Sequence, residues 1–446
     1  MGDSLPRRGI SAKKRRILCT MSPKMEVERM NPFEQSARPL EQCLLDWRDM
    51  WPLPYDKHSV DPYTRARVIL MNSVEFDNVA FSHQMARACA DRDVRRALAL
   101  MRRSEQQQQK LLAALKPANE TQLEHTIGYE QLSVDLTAHL ALREMDDRVR
   151  DALHFALLED LDHLYRFSVF LDLETGVRAE SIVGGYTEIM PGRPTIAHHR
   201  APGDSILSPL GNDASLFSRM AVLVISAAEQ QAMNYYMNVC ATYPNDPGRA
   251  LYREIGMVEE EHVSRYESLM DPSLSWAENL LMRQYAECYL YWSMARTETD
   301  PTLRQTWSRM TDLELSHLRL AQTLLERLEG KTYDEVVGDG VFPAPIKLGS
   351  NIGYVRDVLG AGVNLTARGE GYAPVESLAA DADFFRYQAL VNADPQQVQS
   401  HGVVQRYIDR FGEDYRFEIA PSPVPALRER RKDNISLARQ GPSSGC

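Results

Sequence analysis

Laid over itself with a displacement of 154 residues, the sequence aligns Glu75 with Glu229, Glu105 with Glu259 and Gln108 with His262. The same displacement carries Asp160 onto Glu314, His163 onto His317, Arg150 onto Arg304 and Asp146 onto Asp300. One register serves the whole set, apart from a one-residue slip in the loops around Pro117 and Pro272. Overall identity between the halves is low, so the common polar register carries the inference. A chain that repeats itself this way folds as two copies of one supersecondary unit.

Each unit reads as four helices. Apolar residues recur at three- and four-residue spacing, as at Leu153, Leu157, Leu161 and Leu164, which is the helical period. Pro117, Pro244, Pro247, Pro272 and Pro301 fall at breaks, where proline can begin a helix but not continue one. Helices are expected near 62–91, 93–115, 119–144, 147–171, 214–242, 247–270, 274–298 and 301–328. The expected fold is all-α: a duplicated bundle of about eight long helices with a smaller C-terminal appendage. Its parts are an N-terminal extension (1–60, the first 24 residues disordered), a first four-helix unit (61–171) and a long crossover (172–213). A second four-helix unit (214–329), the appendage (330–420) and a disordered tail (421–446) follow. The appendage is glycine-rich and carries helices near 352–359, 381–392 and 395–412; a lid and an oligomer contact are both open to it. A loop as long as the crossover, with its exposed His198–His199, usually has a job.

The net charge of -11, with no basic stripe in the folded part, argues against nucleic acid as a partner. No apolar run approaches the ~20 residues that span a bilayer, so no membrane is expected either. Cys19, Cys43, Cys89, Cys240, Cys288 and Cys446 are scattered without a C-x-x-C, which suits a reducing, cytoplasmic setting.

Chemistry enters through acids. Four helices carry an acidic residue three before a histidine or an amide: Glu105–Gln108, Asp160–His163, Glu259–His262 and Glu314–His317. The other four carry a lone acid near their middle: Glu75, Glu130, Glu229 and Glu287. Residues three apart on a helix share a face. Over about residues 62–328 this pattern resembles the ferritin-like di-iron carboxylate superfamily, in which Glu, Glu-x-x-His, Glu and Glu-x-x-His from four helices hold two metals. Carboxylates neutralise and bridge the cations while each histidine supplies a neutral nitrogen.

Two partitions of the ligands compete. The second unit alone offers Glu229, Glu259/His262, Glu287 and Glu314/His317. Short loops would then make its two Glu-x-x-His helices parallel, whereas the family has them antiparallel with a crossover between helix pairs. Helices three to six span the crossover and offer Glu130, Asp160/His163, Glu229 and Glu259/His262, with 30 residues in both Glu130–Asp160 and Glu229–Glu259. This central set is favoured, with Asp160 where glutamate is usual. The outer helices leave a second or alternative set, Glu75, Glu105, Gln108, Glu287, Glu314 and His317, in which Gln108 replaces a histidine. Glu260 and Glu261 are expected to turn away into solvent. Tyr235, Tyr236, Tyr252, Tyr266, Tyr285, Tyr289, Tyr291 and Trp292 crowd the ligand helices, chiefly as packing.

The resemblance implies two iron ions, or manganese or a mixed iron–manganese pair, and oxidation of a small-molecule substrate by dioxygen or peroxide. Electrons would come from an external donor, since no reductase module is visible; a homo-oligomer is compatible with it. The rival readings are a ferroxidase or peroxide-scavenging iron protein, and a metal-free helical scaffold.

Overall fold

The computed structural model describes residues 29–194, 200–211, 213–368, 371–392 and 398–432. The expected disordered start, His198–His199 and residues 433–446 lie outside these. Eight long helices dominate: α1 (Pro62–Ala88), α2 (Arg92–Leu115), α3 (Gln122–Arg143), α4 (Asp147–Thr175), α5 (Leu216–Thr242), α6 (Asp246–Glu267), α7 (Trp276–Thr297) and α8 (Pro301–Glu329). Every helix of the second unit starts 154 residues after its counterpart in the first.

The local causes of those starts repeat as well. Asp61, Asp91, Thr121 and Asp146 cap the first four helices through their side chains; Ser215, Asn245, Ser275 and Asp300 cap the second four. Each side-chain oxygen accepts from a backbone N–H that the first turn leaves unpaired. Thr121 with Glu124, and Ser275 with Glu278, close full capping boxes. The fourth helix of each unit ends on a left-handed glycine, Gly176 or Gly330, at φ 70° and 68°.

The units embrace each other reciprocally. Thr64 at the start of α1 donates to Glu298 after α7 (2.6 Å), and its counterpart Ser218 on α5 donates to Glu144 after α3 (2.7 Å). Consecutive helices pair as hairpins, α1 with α2, α3 with α4, α5 with α6 and α7 with α8. Helices α1, α3, α5 and α7 form the middle of the molecule: α1 packs on α3, α5 and α7, and α5 also on α3 and α7. Helices α4 and α6 meet on one side and α2 and α8 on the other. Two four-helix bundles result, α3–α6 and α1/α2/α7/α8, each built half from one unit and half from the other.

Residues after α4 form the crossover. Gly192 N–H donates to Asp162 Oδ1 (3.2 Å) and Arg193 N–H to the Leu158 carbonyl (2.8 Å), so the strap lies directly on the outer face of α4. A Cβ at Gly192 would collide with that Leu158 carbonyl, which is why the closest approach is a glycine.

The appendage contains α9 (Ile352–Gly362), α10 (Asp383–Val391) and α11 (Gln399–Phe411), close to their expected places. An antiparallel hairpin, β1 (Leu365–Arg368) with β2 (Gly371–Pro374), lies between α9 and α10; such short strands amid glycines leave little alternation to read. Helix α11 packs on α4 and α6, and α9 and the hairpin on α4. The expected disordered tail differs in its first part: Val424 and Leu427 are buried. Among the described residues Cys43, Cys89, Cys240 and Cys288 are free thiols, and no helix is long and apolar enough to cross a membrane.

Candidate metal centre

Helices α3, α4, α5 and α6 bring Glu130, Asp160, His163, Glu229, Glu259 and His262 together in the bundle interior, none more than 1% exposed. Their ligand atoms fall into two adjoining sets, Asp160/Glu229/Glu259/His262 and Glu130/His163/Glu259, each within a 4.8 Å span. Glu259 belongs to both. Its Oε1 lies 3.0 Å from His163 Nδ1 and its Oε2 3.0 Å from His262 Nδ1. A carboxylate between two histidines, with two further acids on one side and one on the other, has the form of a bridge between two cations.

The polar atoms here are poorly satisfied by protein. Neither oxygen of Asp160 or of Glu229 accepts a hydrogen bond. His262 Nδ1 stands 3.4 Å from Asp160 and 3.7 Å from Glu229, without hydrogen-bond geometry to either. Burial, then the Glu229 carboxylate, pushes Asp160 well above the aspartate range. Burial and Glu259 do the same to Glu130, and burial raises Glu229 to about 7. Burial also works to raise Glu259, but His163 and His262 outweigh it and hold Glu259 down to about 2. Burial disfavours charge on His262, yet Asp160 and Glu159 raise it well above the usual range. Four mutually repelling carboxylates, two of them without a hydrogen-bond donor, are costly in a dry core. Two divalent cations would neutralise all four, so the residues fit a dimetal group.

Around this set stands a shell that the spacing argument did not identify. His262 Nε2 lies 2.7 Å from Glu159 Oε2, which leaves Nδ1 facing the cluster. Glu159 is held by Arg193 (3.4 Å) and Arg200 (3.1 Å), both delivered by the crossover. That is the work of the long link. Tyr236 donates to Glu130 Oε1 at 2.5 Å, turning Oε2 toward the cluster. In sequence Glu159 is one more acid beside Asp160, and only its arginine partners distinguish it. Glu261 corrects an expectation: it is buried, with Arg200 at 3.0 Å, whereas Glu260 is exposed as expected.

The outer set gathers in the other bundle and is differently finished. Glu75, Glu287 and Glu314 converge within a 4.8 Å span, without a histidine among them. Gln108 Nε2 donates to Glu75 Oε1 (2.9 Å) and to Glu314 Oε1 (2.6 Å). Tyr291 donates to the same oxygen of Glu75 (2.5 Å), Asn78 to Glu287, and Gln284 to Glu105 (3.0 Å). His317 Nδ1 is 3.1 Å from Glu314. Displacing Glu130 by 154 lands on Gln284, not on Glu287, so a second amide stands where the inner set has a ligand. The partition within the second unit alone is not assembled: Glu287 and Glu314 collect around Glu75 rather than beside Glu229, Glu259 and His262.

Other histidines have structural partners: His125 with Glu120 (2.7 Å), His139 with Arg143 (3.3 Å) and His154 with Tyr354 (2.5 Å). Of the crowded aromatics, Tyr236 and Tyr291 touch cluster carboxylates, while Tyr252 bonds Thr126 and Tyr289 the Ala344 carbonyl. No protein-family model, curated protein or solved structure matches this chain, so the centre is read from its own chemistry.

Proposed function

We propose that the α3–α6 cluster holds two iron ions, or iron with manganese, with Glu259 among the residues that would hold each, and that the protein is an oxidoreductase of the ferritin-like di-iron carboxylate kind. The reading rests on one observation above others: Asp160 and Glu229 are fully buried, none of their oxygens accepts a hydrogen bond, and both lie beside His262 Nδ1. Bound iron would supply the redox capacity to activate dioxygen or peroxide toward a small organic substrate, with electrons from a separate donor.

The chain's own residues have definite tasks. Glu130, His163 and Glu259 would hold one metal; Asp160, Glu229, Glu259 and His262 the other. Glu159 takes the His262 Nε2 proton in a hydrogen bond and fixes which ring nitrogen faces the cluster. Tyr236 keeps a proton on its phenol: burial, then the Glu130 carboxylate, pushes its pKa well above the tyrosine range. The surrounding helices exclude water, which keeps the carboxylates from being solvated away from the metals.

The experiment is anaerobic loading with Fe(II), followed by exposure to dioxygen. Two irons bound per chain, oxidised and retained, are expected. Iron released or accumulated as mineral would favour the ferroxidase reading. Failure of the intact protein to bind any transition metal would favour the scaffold.

A further inference from the structure

One turn beyond His262, α6 carries Arg265 and Tyr266. Arg265 is 1% exposed, and neither its Nε nor its Nη1 has a hydrogen-bond partner. No carboxylate among the described residues forms an ion pair with it. Glu159 and Glu261 are engaged by Arg193 and Arg200. Asp151 is close enough for Arg265 to stabilise its charge, but makes no salt bridge to it.

Three guanidiniums crowd one ring here. Arg193, Arg200 and Arg265 stand over Phe155 with their central carbons 3.9, 4.9 and 4.9 Å from its centroid. Among the described residues, the buried carboxylates Glu159 and Glu261 share the cluster with them, and the half-buried Asp151 and Asp204 act on Arg265 and Arg200 from nearby. Stacking on an aromatic face stabilises a guanidinium far less than burial of an unpaired ion costs it. Of the three, Arg265 is the one for which the described residues supply no ion pair.

Two further donors are idle at the same place. The hydroxyls of Tyr266 and Tyr372 are buried without partners. Tyr372, on β2, packs its ring 5.4 Å from Phe155, so the appendage roofs the arginine cluster. Tyr266 joins the cluster to the metal centre: burial first, then the Glu229 and Asp160 carboxylates, raises its phenol, while Arg265 opposes that.

We propose that Arg265, with the Tyr266 and Tyr372 hydroxyls, binds the carboxylate of a small organic acid between the α3–α6 cluster and the β1–β2 hairpin. The guanidinium fork matches a carboxylate with two parallel hydrogen bonds, and Tyr266 lies near enough to Glu229 and Asp160 to feel their charge. That this acid is the substrate rests on the metal reading; that the site binds carboxylates does not.

The test uses the full chain, stripped of metal by chelation, with acetate and benzoate as probes at constant ionic strength made up with chloride. Thermal unfolding should shift upward saturably with the acids. Arg265→Met should weaken that response at least tenfold while raising the unliganded melting temperature, because an unpaired buried charge has been removed. Tyr372→Phe should weaken it less, and both variants should keep the wild-type metal count. An acid response equal to that of chloride, or one unchanged in Arg265→Met, would overturn the proposal. Acid binding that survives in a protein unable to take up metal would sink the metal reading alone.

Discussion

The two bundles contain the same number of cluster carboxylates and treat them in opposite ways. In α3–α6, Asp160 and Glu229 accept no hydrogen bond, and Glu259 lies between two histidines. In α1/α2/α7/α8, Gln108, Gln284, Asn78 and Tyr291 supply neutral donors to Glu75, Glu105, Glu287 and Glu314. Amide and hydroxyl donors meet part of the outer set's need; in the inner set the corresponding oxygens of Asp160 and Glu229 have none. The shell differs in the same sense: displacing Glu159 by 154 lands on Leu313, so nothing equivalent holds a histidine from behind. A repeated scaffold thus holds one cluster with two acids that no donor meets and one in which every acid has at least one donor.

The largest mutational effect should come from removing the shared donor of the outer cluster. Gln108→Leu removes the donor shared by Glu75 and Glu314; Glu75 Oε1 keeps Tyr291, so one buried oxygen is left without a partner, at a cost of about 1–3 kcal/mol. Chemical denaturation of the metal-free variant measures it, and a loss under about 1 kcal/mol would mean that the amide does not hold the cluster. Next in size is Glu159→Gln, which should lower metal affinity about 10–100-fold without changing the number of metals bound. Competition against a chelator reads this directly, and Leu313→Ala should leave that affinity alone.

The two clusters also share a pH dependence. Glu229 and Glu105 are raised by burial from 4.5 to about 7 in the folded protein. A raised carboxyl binds its proton more tightly when folded, so its stability contribution is complete below the unfolded value. It is lost as pH rises through the folded one. Metal-free protein should therefore lose stability between pH 4.5 and about 7. Metal uptake, which displaces those protons, should strengthen over the same interval. Metal affinity independent of pH would count against carboxylates as the ligands.

How much of this could be read in advance follows from what each feature depends on. Helix starts were legible because caps such as Thr121 and prolines such as Pro301 act within a few residues. The division of the acids into two sets was legible because a 42-residue link between Leu171 and Ala214 permits a crossover that the short loops do not. Glu159, Arg193 and Arg200 were not, because an ion pair across the crossover has no period. Nor was Gln284, which reads as one more polar residue until its neighbours are known. Glu261 was misjudged for the same reason: its solvent side is covered by a segment distant in sequence.

The most direct measurement is the metal content of three proteins purified under iron-replete conditions: the wild type, Glu130→Ala and Glu287→Ala. A centre in α3–α6 predicts two metals per chain in the wild type, a sharp loss in Glu130→Ala and an unchanged count in Glu287→Ala. Metal stripped by Glu287→Ala and untouched by Glu130→Ala, or a wild type that never holds metal, would contradict it.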